Sequence, residues 1–365
     1  MRLATNGPRY VAYLLYGSGA EYQRELAFST LSALRFLHDD PRGVRLCVLS
    51  DQPSLQFELG ARRIGIDAQE LAEWTHDGAC PHRAKLAALH KALTVLGAPV
   101  ALVDTDTCFV EHPAQLFHGV APGASVMHAR EYAIGEQALW APLLERLGGS
   151  AELAGFRIHA GSPMFNSGVI GVHPSDTALV ARAMQLLDAL DGVLPIFNAE
   201  QFAIGTALFE HTELSTVEHV LHHYWGFSRG FVHVQIARLL AGFRPDRVRE
   251  LARDTLRAEL GFPVARLRDR LVSRVQAMLR GWDVNCRFAY QAFLSALACV
   301  KSDHAYANVW LATALQALSV SEREGSTAAR ARARLWPAFA AFDARAVSWI
   351  EPRLARQWIA FWSVA

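Results

Sequence analysis

The most informative pattern in the sequence is PVALVDTDTCFVEHP, residues 99–113. Its apolar run, residues 100–103, has the length of a short buried strand and stops abruptly at Asp104. A second acid, Asp106, follows two residues later, and apolar residues then resume. Carboxylates at the end of a buried strand are costly unless something compensates their charge. The stretch therefore predicts a backbone cap, an arginine or a divalent cation beside the two acids.

Upstream of this stretch, strand-like and helix-like segments alternate. The strand-like runs are residues 10–16 and 44–50, and the segments with leucine at helical spacing are 21–37 and 82–96. This alternation predicts an α/β fold with a mostly parallel sheet and helices on both faces. Ligands of open α/β sheets bind beyond the carboxyl ends of the strands, so both acids lie where a ligand is expected.

The composition limits the class of protein. Of the 365 residues, 52% are hydrophobic and 19% are charged, which supports a large core and argues against disorder. A net charge of +1 gives no attraction to nucleic acid, which is not an expected partner. The five cysteines are scattered and form no Cys-x-x-Cys pair, so we expect reduced thiols and no structural zinc.

The location is predicted from two further patterns. The first residues lack a secretory-signal pattern, and no apolar stretch reaches the roughly 18 residues that a membrane-spanning helix needs. We therefore expect a cytoplasmic protein. Peripheral attachment to the inner face of a membrane stays open.

The composition changes near residue 240. Residues 238–280 contain 11 arginines and five acids, a local balance of 11 − 5 = +6. The segments beyond are rich in alanine, leucine, arginine and tryptophan and have helical character. The sequence thus predicts an α/β domain over residues 1–240 and a helical domain over 241–365. Residues 319–334 are predicted to form an exposed loop that leads into a helix.

One segment of the second domain, residues 263–281, carries a stripe of apolar side chains at helical spacing. The stripe consists of Val264, Leu267, Leu271, Val275 and Met278. Arg266, Arg270 and Arg274 lie on one flank, and Arg268 falls inside the stripe. Two interpretations follow, a helix packed on the first domain, which is favoured, or a helix on an anionic membrane surface.

Two further stretches carry candidate ligand-binding residues. Arg83 and Lys85 begin the helix that leads into the strand with the two acids, where they meet phosphates or simply face solvent. In FNSGVIGV, residues 165–172, Asn166 and Ser167 precede a glycine at a strand edge. Such a glycine lets a ligand approach the backbone closely, although an ordinary turn explains it as well.

The last stretch, residues 217–233, contains histidines and an arginine. His223 would complete a manganese site with the two acids, because imidazole is a good ligand for transition metals. Arg229 follows six residues later, and its planar guanidinium suits a diphosphate. His222 and His233 leave the choice of histidine open.

Together these stretches resemble nucleotide-sugar-dependent glycosyltransferases of the GT-A fold, and most closely family eight, the group of glycogenin and bacterial lipopolysaccharide galactosyltransferases. The resemblance covers roughly residues 8–235 and rests on VDTDTCFVEHPAQLF, FNSGVIGVHP, NAEQFAIG and the His-x-x-Gly-x-x-basic pattern, in that order. It implies a GT-A fold and metal-dependent transfer of a hexose from a nucleotide diphosphate sugar, UDP-sugar favoured, with retention. The acceptor, a saccharide, lipid-linked molecule or protein, stays open.

The resemblance also implies residue roles. The implied ligands of Mn²⁺ or Mg²⁺ are Asp104, Asp106 and His223. The implied donor-binding residues are Tyr16, Gly17, Arg83, Lys85, Asp104, Thr105, Ser167 and Arg229. The implied catalytic residues at the donor sugar are Glu200, Gln201 and Asn166. Glu200 replaces the family's usual aspartate, Arg229 replaces its lysine, and Gly-Phe follows where Pro-Trp is common.

Other interpretations of the same residues remain. Phosphatases of the haloacid dehalogenase type also use Asp-x-Asp, but they need Thr or Val where this chain has Cys108, and their motif lies on the first strand. A non-catalytic module that binds sugar nucleotides is a further alternative. Glu200 and Gln201 would also serve as an ordinary helix start with Asn198 as cap.

Overall fold

The structure is a computed structural model that describes residues 7–57, 59–323 and 348–363. Its strands are β1 Arg9–Leu15, β2 Val44–Ser50, β3 Arg62–Gly65, β4 Val100–Val103, β5 Thr107–Phe109, β6 Ala124–Ala133, β7 Ser150–Leu153, β8 Phe156–His159, β9 Pro163–Val172, β10 Glu213–Thr216 and β11 Leu221–His223. Its α-helices are α1 Ala20–Leu37, α2 Ala68–Thr75, α3 Arg83–Leu96, α4 Ala141–Arg146, α5 Thr177–Val193, α6 Ala199–His211, α7 Phe227–Leu240, α8 Val248–Asp254, α9 Leu267–Arg280, α10 Val284–Cys299, α11 His304–Arg323 and α12 Pro352–Ser363.

The chain forms two compact units. The first comprises the described residues up to Tyr224 together with Ile236–Ala258, and the second comprises Trp225–Gln235 and the described residues from Glu259 onward. These units describe how the chain is packed. The division into functional domains at residue 240 stays a prediction.

A seven-stranded sheet forms the centre of the first unit. Its strand order is β10-β6-β9-β4-β1-β2-β3. Neighbouring strands run parallel except where β9 pairs antiparallel with β4 and with β6, so β9 is the one reversed strand. The predicted α/β fold with a mostly parallel sheet is therefore confirmed.

Side chains on the two faces of the sheet form two separate cores, because neighbouring residues of a strand point to opposite faces. On β1, Tyr10 and Ala12 belong to a core with the buried side chains of α3, α5 and α6. Val11 and Tyr13 belong to a core with buried side chains of α1. Helices thus cover both faces, as predicted.

The second unit is helical. Its core joins aromatic and small side chains, with Phe231 of α7 and Trp310 of α11 in contact at a centroid distance of 4.9 Å. Trp358 of α12 stacks on Phe293 of α10. The predicted helical C-terminal region is confirmed for the described residues.

Two expectations about this unit need correction. Residues 319–323 are not a loop but continue α11 to Arg323, and the rest of the predicted loop lies outside the described residues. The favoured interpretation of residues 263–281 required the apolar stripe to pack against the protein. In the structure this stripe lies on α9 and is exposed to solvent, so that interpretation is wrong. Within the described ranges, no helix combines the length and the apolar character needed to cross a membrane.

Candidate functional site

The two acids lie at the carboxyl end of the central strand β4. Asp104 is the first residue after β4, and its N–H donates a hydrogen bond of 3.0 Å to the carbonyl oxygen of Gly168 on β9. The hydroxyl of Thr107 donates to the Asp104 carbonyl oxygen at 2.8 Å. These two hydrogen bonds fix the backbone of Asp104, at the start of the short segment between β4 and β5 that carries both acids.

A second, small sheet brings His223 to these acids. β5 pairs antiparallel with β11, with Thr107 opposite His223, and the Tyr224 N–H donates to the Asp106 carbonyl oxygen at 3.1 Å. As a result His223 Nε2 lies 3.2 Å from Asp106 Oδ1 and 3.9 Å from Asp104 Oδ2. The adjacent residue of the strand, His222, is exposed, and His233 belongs to the second unit, so the histidine at the acids is His223.

The second ring nitrogen of His223, Nδ1, has a hydrogen-bond partner that fixes the orientation of the ring. Nδ1 lies 3.1 Å from Oδ1 of Asn166, and an amide oxygen only accepts hydrogen bonds. The amide orientation is itself defined, since Oδ1 also accepts the Gly168 N–H at 2.9 Å and Nδ2 donates to Glu131 at 2.9 Å. Nδ1 therefore carries a hydrogen, and Nε2 is the ring nitrogen that faces the carboxylates.

Gly168 makes room for this histidine. A Cβ at position 168 would lie 2.8 Å from His223 Cε1 and 3.0 Å from the Asn166 amide oxygen, and closer still to His223 Nδ1. Real Cβ atoms do not approach that closely. The glycine of the motif is thus needed for the close approach of the imidazole, which explains its presence without reference to a ligand.

The three side chains form a donor set that fits a divalent cation. One ligand atom from each of Asp104, Asp106 and His223 lies within 4.8 Å of the others. Two carboxylates and a neutral imidazole are ligands that Mn²⁺ accepts, and carboxylates also suit Mg²⁺. Among the described residues this is the one such group of histidine, cysteine and acidic side chains.

A buried lysine lies next to the acids. Nζ of Lys85, in the first turn of α3, lies 2.7 and 2.8 Å from the two oxygens of Asp104 and donates to Ser167 at 2.9 Å. Burial alone lowers the pKa of Lys85, but the negative charges of Asp104 and Glu200 outweigh it and leave the pKa raised. Lys85 therefore stays charged and offsets the carboxylates.

Glu200 and Gln201 lie on the other side of Ser167, in the first turn of α6. The Ser167 hydroxyl donates to Glu200 at 2.9 Å or to Gln201 at 3.2 Å, and the Ser167 N–H donates to Gln201 at 3.0 Å. Burial raises the pKa of Glu200, Lys85 opposes the shift, and Asp104 adds to it. The Asn198 side chain makes no cap hydrogen bond, so capping does not explain this helix start.

Other predicted residues have different partners. Arg83 faces α5, where Nε and Nη2 donate to the carboxylate of Asp188 at 2.8 and 3.3 Å. The Thr105 hydroxyl donates to the buried Glu25 at 3.0 Å. Arg229 lies in the second unit, near the start of α7. Arg83 thus forms an ion pair with an acid of α5. The donor-binding roles of Arg83, Thr105 and Arg229 stay predictions.

Tyr16 and Gly17 follow β1, the neighbour of β4 in the sheet. The Tyr16 hydroxyl donates to the Pro81 carbonyl oxygen at 3.2 Å. Gly17 has φ +78°, and its N–H donates to the carboxylate of Asp51, the residue after β2, at 3.2 Å. The backbone after β1 therefore turns at the same edge of the sheet as Asp104.

Sequence reasoning missed several polar residues behind the site. Glu25, Ser29 and Ser32 are buried on α1. The Ser29 hydroxyl is 2.8 Å from that of Thr107, and Ser32 accepts the Phe109 N–H at 2.9 Å. Their spacing of four and three places these side chains on one helical face, a signal that was present in the sequence.

A second histidine was also missed. The ring of His128 on β6 lies edge-on to that of His223, with a centroid distance of 5.5 Å. Burial, and then the neighbouring His223, lower the pKa of His128 to about 4, so it is neutral at pH 7. No local pattern in the sequence marked this contact, because β6 is far from β11 along the chain.

No protein-family model matches the chain, and no curated protein matches it in sequence. Among solved structures, mouse xyloside xylosyltransferase 1 in its apo form is 15% identical and covers 57% of this chain and 85% of its own, with a TM-score of 0.39. Galactosyltransferase LgtC, in complex with donor and acceptor sugar analogues, is 12% identical and covers 67% of this chain and 95% of its own, with a TM-score of 0.41.

These structural likenesses are weak. Both proteins are glycosyltransferases by name, but TM-scores of 0.39 and 0.41 carry no argument about this chain. The resemblance to family eight therefore stays a prediction.

Proposed function

We propose that the chain is a metal-dependent glycosyltransferase of the GT-A type, which transfers a sugar from a nucleotide diphosphate sugar, with UDP-sugar favoured. One observation carries the proposal. Two acids at the carboxyl end of the central strand meet a histidine whose Nε2 faces them. A site built from these groups beyond the end of a sheet strand is suited to a diphosphate and its counter-cation.

Asp104, Asp106 and His223 would hold the cation, Mn²⁺ or Mg²⁺. When bound, it supplies Lewis-acid stabilisation of the negative charge that builds up on the departing diphosphate. The chain's own contribution is orientation. Asn166 keeps hydrogen on Nδ1 of His223, and Gly168 leaves space for the ring. Outer partners of this kind typically change metal affinity about 10–100-fold.

Lys85, Ser167 and Thr105 belong to the donor site in this proposal. The ammonium of Lys85 lies against Asp104, so a positive charge is already present where phosphate oxygens would come. One electrostatic donor placed in this way typically contributes about 3 kcal/mol to transition-state stabilisation. Tyr16 and Gly17 would contact the nucleoside, and Arg83 and Arg229 would add positive charge.

Glu200, Gln201 and Asn166 would act at the donor sugar. Breaking the bond to the leaving diphosphate builds positive charge on the anomeric carbon, which a nearby carboxylate or amide oxygen stabilises. Glu200 is buried and is held by Ser167 and the charge of Lys85, so its carboxylate is pre-positioned. We expect retention of the anomeric configuration, as the resemblance implies, and the cytoplasmic location stays a prediction from the sequence patterns alone.

The test is release of UDP from a panel of UDP-sugars, with and without acceptor, in Mn²⁺ or in EDTA. Wild-type protein should release UDP only with the metal, and Asp106→Asn should lower the rate by about 100-fold or more, because one ligand charge is lost. Asp67→Asn is the matched control. Asp67 caps α2, and asparagine caps a helix equally well, so this change should leave the rate unaltered.

Two results would contradict the proposal. Hydrolysis of phosphate monoesters without cleavage of any sugar nucleotide would favour the phosphatase alternative. Metal-dependent UDP binding with no transfer to water or to any acceptor would favour the non-catalytic module.

A further inference from the structure

Helix α9 presents apolar side chains to solvent. The exposed fractions are 66% for Leu267, 51% for Leu271, 50% for Val275, 77% for Met278 and 70% for Leu279. We call these five residues the α9 stripe. Val264, just before the helix, is 82% exposed and extends it. A contiguous exposed apolar patch of this kind marks an interaction surface more often than isolated exposed residues do.

The opposite face of the same helix is polar or small, and it is the buried one. Asp269, Ser273 and Ala277 are buried, at a spacing of four. The carboxylate of Asp269 accepts a hydrogen bond of 3.3 Å from Ser295 on α10. The helix is thus held by its polar side while its apolar side is outward, the reverse of an ordinary surface helix.

Arginines lie at one edge of the stripe and within it. At 100° per residue, Arg274 lies about 20° beyond Leu267, whereas Arg268 lies between Val275 and Leu279. Within the described ranges of the chain, no ion pair is recorded for Arg268, Arg270 or Arg274. The single acid of the helix, Asp269, is on the buried face. The exposed face is therefore apolar and carries positive charge both at one edge and within the stripe.

We propose that the α9 stripe, with Arg268 and Arg274, binds the surface of a membrane that contains anionic lipid. Apolar side chains enter the boundary between headgroups and acyl chains, while the guanidinium groups of the long Arg268 and Arg274 side chains reach lipid phosphates. Charge complementarity favours this occupant. A second copy of the chain would bring arginines against arginines, and nucleic acid offers no apolar region for the stripe. The 14-residue helix would lie along the surface over about 21 Å.

The test is co-flotation of the full chain with vesicles. One set is pure phosphatidylcholine, and the other is an equal mixture of phosphatidylcholine and phosphatidylglycerol. Wild-type protein should float with the anionic vesicles at about 50 mM salt, bind roughly tenfold less at about 500 mM, and not bind neutral vesicles. Leu271→Glu/Met278→Glu and Arg268→Glu/Arg274→Glu should each reduce binding by about tenfold or more.

Matched controls change the same residue types elsewhere on the surface. Leu139→Glu/Val95→Glu alters two apolar side chains of the first unit with exposed fractions of 51% and 47%, and it should leave binding unchanged. Arg62→Glu/Arg157→Glu repeats the charge reversal at two exposed positions of the first unit. Circular dichroism melts of all variants separate lost binding from lost folding.

Three results would overturn the inference. They are equal binding to neutral and anionic vesicles, binding that neither α9 variant changes, and a wild-type dimer without vesicle binding that Leu271→Glu/Met278→Glu dissociates. The inference does not depend on catalysis. Asp106→Asn should float like wild type, so failure of the proposed transfer reaction and failure of membrane binding are separate outcomes.

Discussion

At the scale of residues, the candidate site depends on one imidazole that is oriented by its neighbours. Asn166 accepts from Nδ1, Gly168 leaves the space for the ring, and Asp106 lies 3.2 Å from Nε2. None of these contacts alone is unusual. Together they direct Nε2 at two carboxylates, and these three groups form a donor set that suits a divalent cation.

Gly168→Ala should weaken Mn²⁺ binding about 10–100-fold. The added methyl group would overlap the imidazole of His223 and force it to move. Calorimetric titration of Mn²⁺ in the presence of UDP measures this affinity. Gly65→Ala is the control, since Gly65 also lies in a strand but a Cβ there meets nothing within 4 Å. An unchanged Mn²⁺ affinity in Gly168→Ala would show that His223 does not bind the metal.

At the scale of elements, the reversed strand β9 connects the core to the site. All ten of its residues are buried, and it lies between β4 and β6. One end carries Asn166, Ser167 and Gly168, while Ile170 and Val172 belong to the core that α3, α5 and α6 cover. Packing of this strand therefore sets the position of the polar residues as well as the stability of the sheet.

Ile170→Ala should lower the free energy of unfolding by about 2–5 kcal/mol, since the side chain is fully buried and its removal leaves a cavity. Chemical denaturation followed by circular dichroism measures the change. Leu139→Ala, at a residue that is 51% exposed, should cost less than about 0.5 kcal/mol. A loss under about 1 kcal/mol in Ile170→Ala would mean that β9 is not part of the core.

Elements were predictable where the signal is local. The run at residues 44–50 became β2 with the same bounds, and the central strand ends at Val103, directly before Asp104. Short apolar runs between polar turns identify buried strands without knowledge of their neighbours. β9 was also marked by its motif, but nothing local indicated that it runs against its neighbours, because direction within a sheet is a property of the whole topology.

At the scale of the whole molecule, ligand binding and folding are linked. Whatever binds the folded chain and not the unfolded chain raises its stability, by about 2.7 kcal/mol at a ligand concentration of 100 times Kd. The proposed metal and nucleotide would both bind to residues of the first unit, where a sheet and two cores provide the folded framework.

UDP together with Mn²⁺, at such concentrations, should raise the Tm of the first unit by roughly 5–10 °C. Thermal-shift measurements with UDP alone, Mn²⁺ alone, both, and both with EDTA resolve the dependence. Asp106→Asn should abolish the shift, whereas Asp67→Asn should keep it. A shift with UDP that EDTA leaves intact would contradict metal-mediated binding.

The sequence by itself determined the α/β class, the strands that precede the two acids, the position of those acids at a carboxyl end, and the helical nature of the C-terminal region. These features follow from short-range periodicity, which one segment expresses without reference to the others. Only the tertiary structure decided that His223 and not His222 meets the acids, that Arg83 pairs with Asp188, and that the apolar side of α9 is outward. Each of these depends on which distant segment lies opposite, and that is set by strand pairing and helix packing of the folded chain.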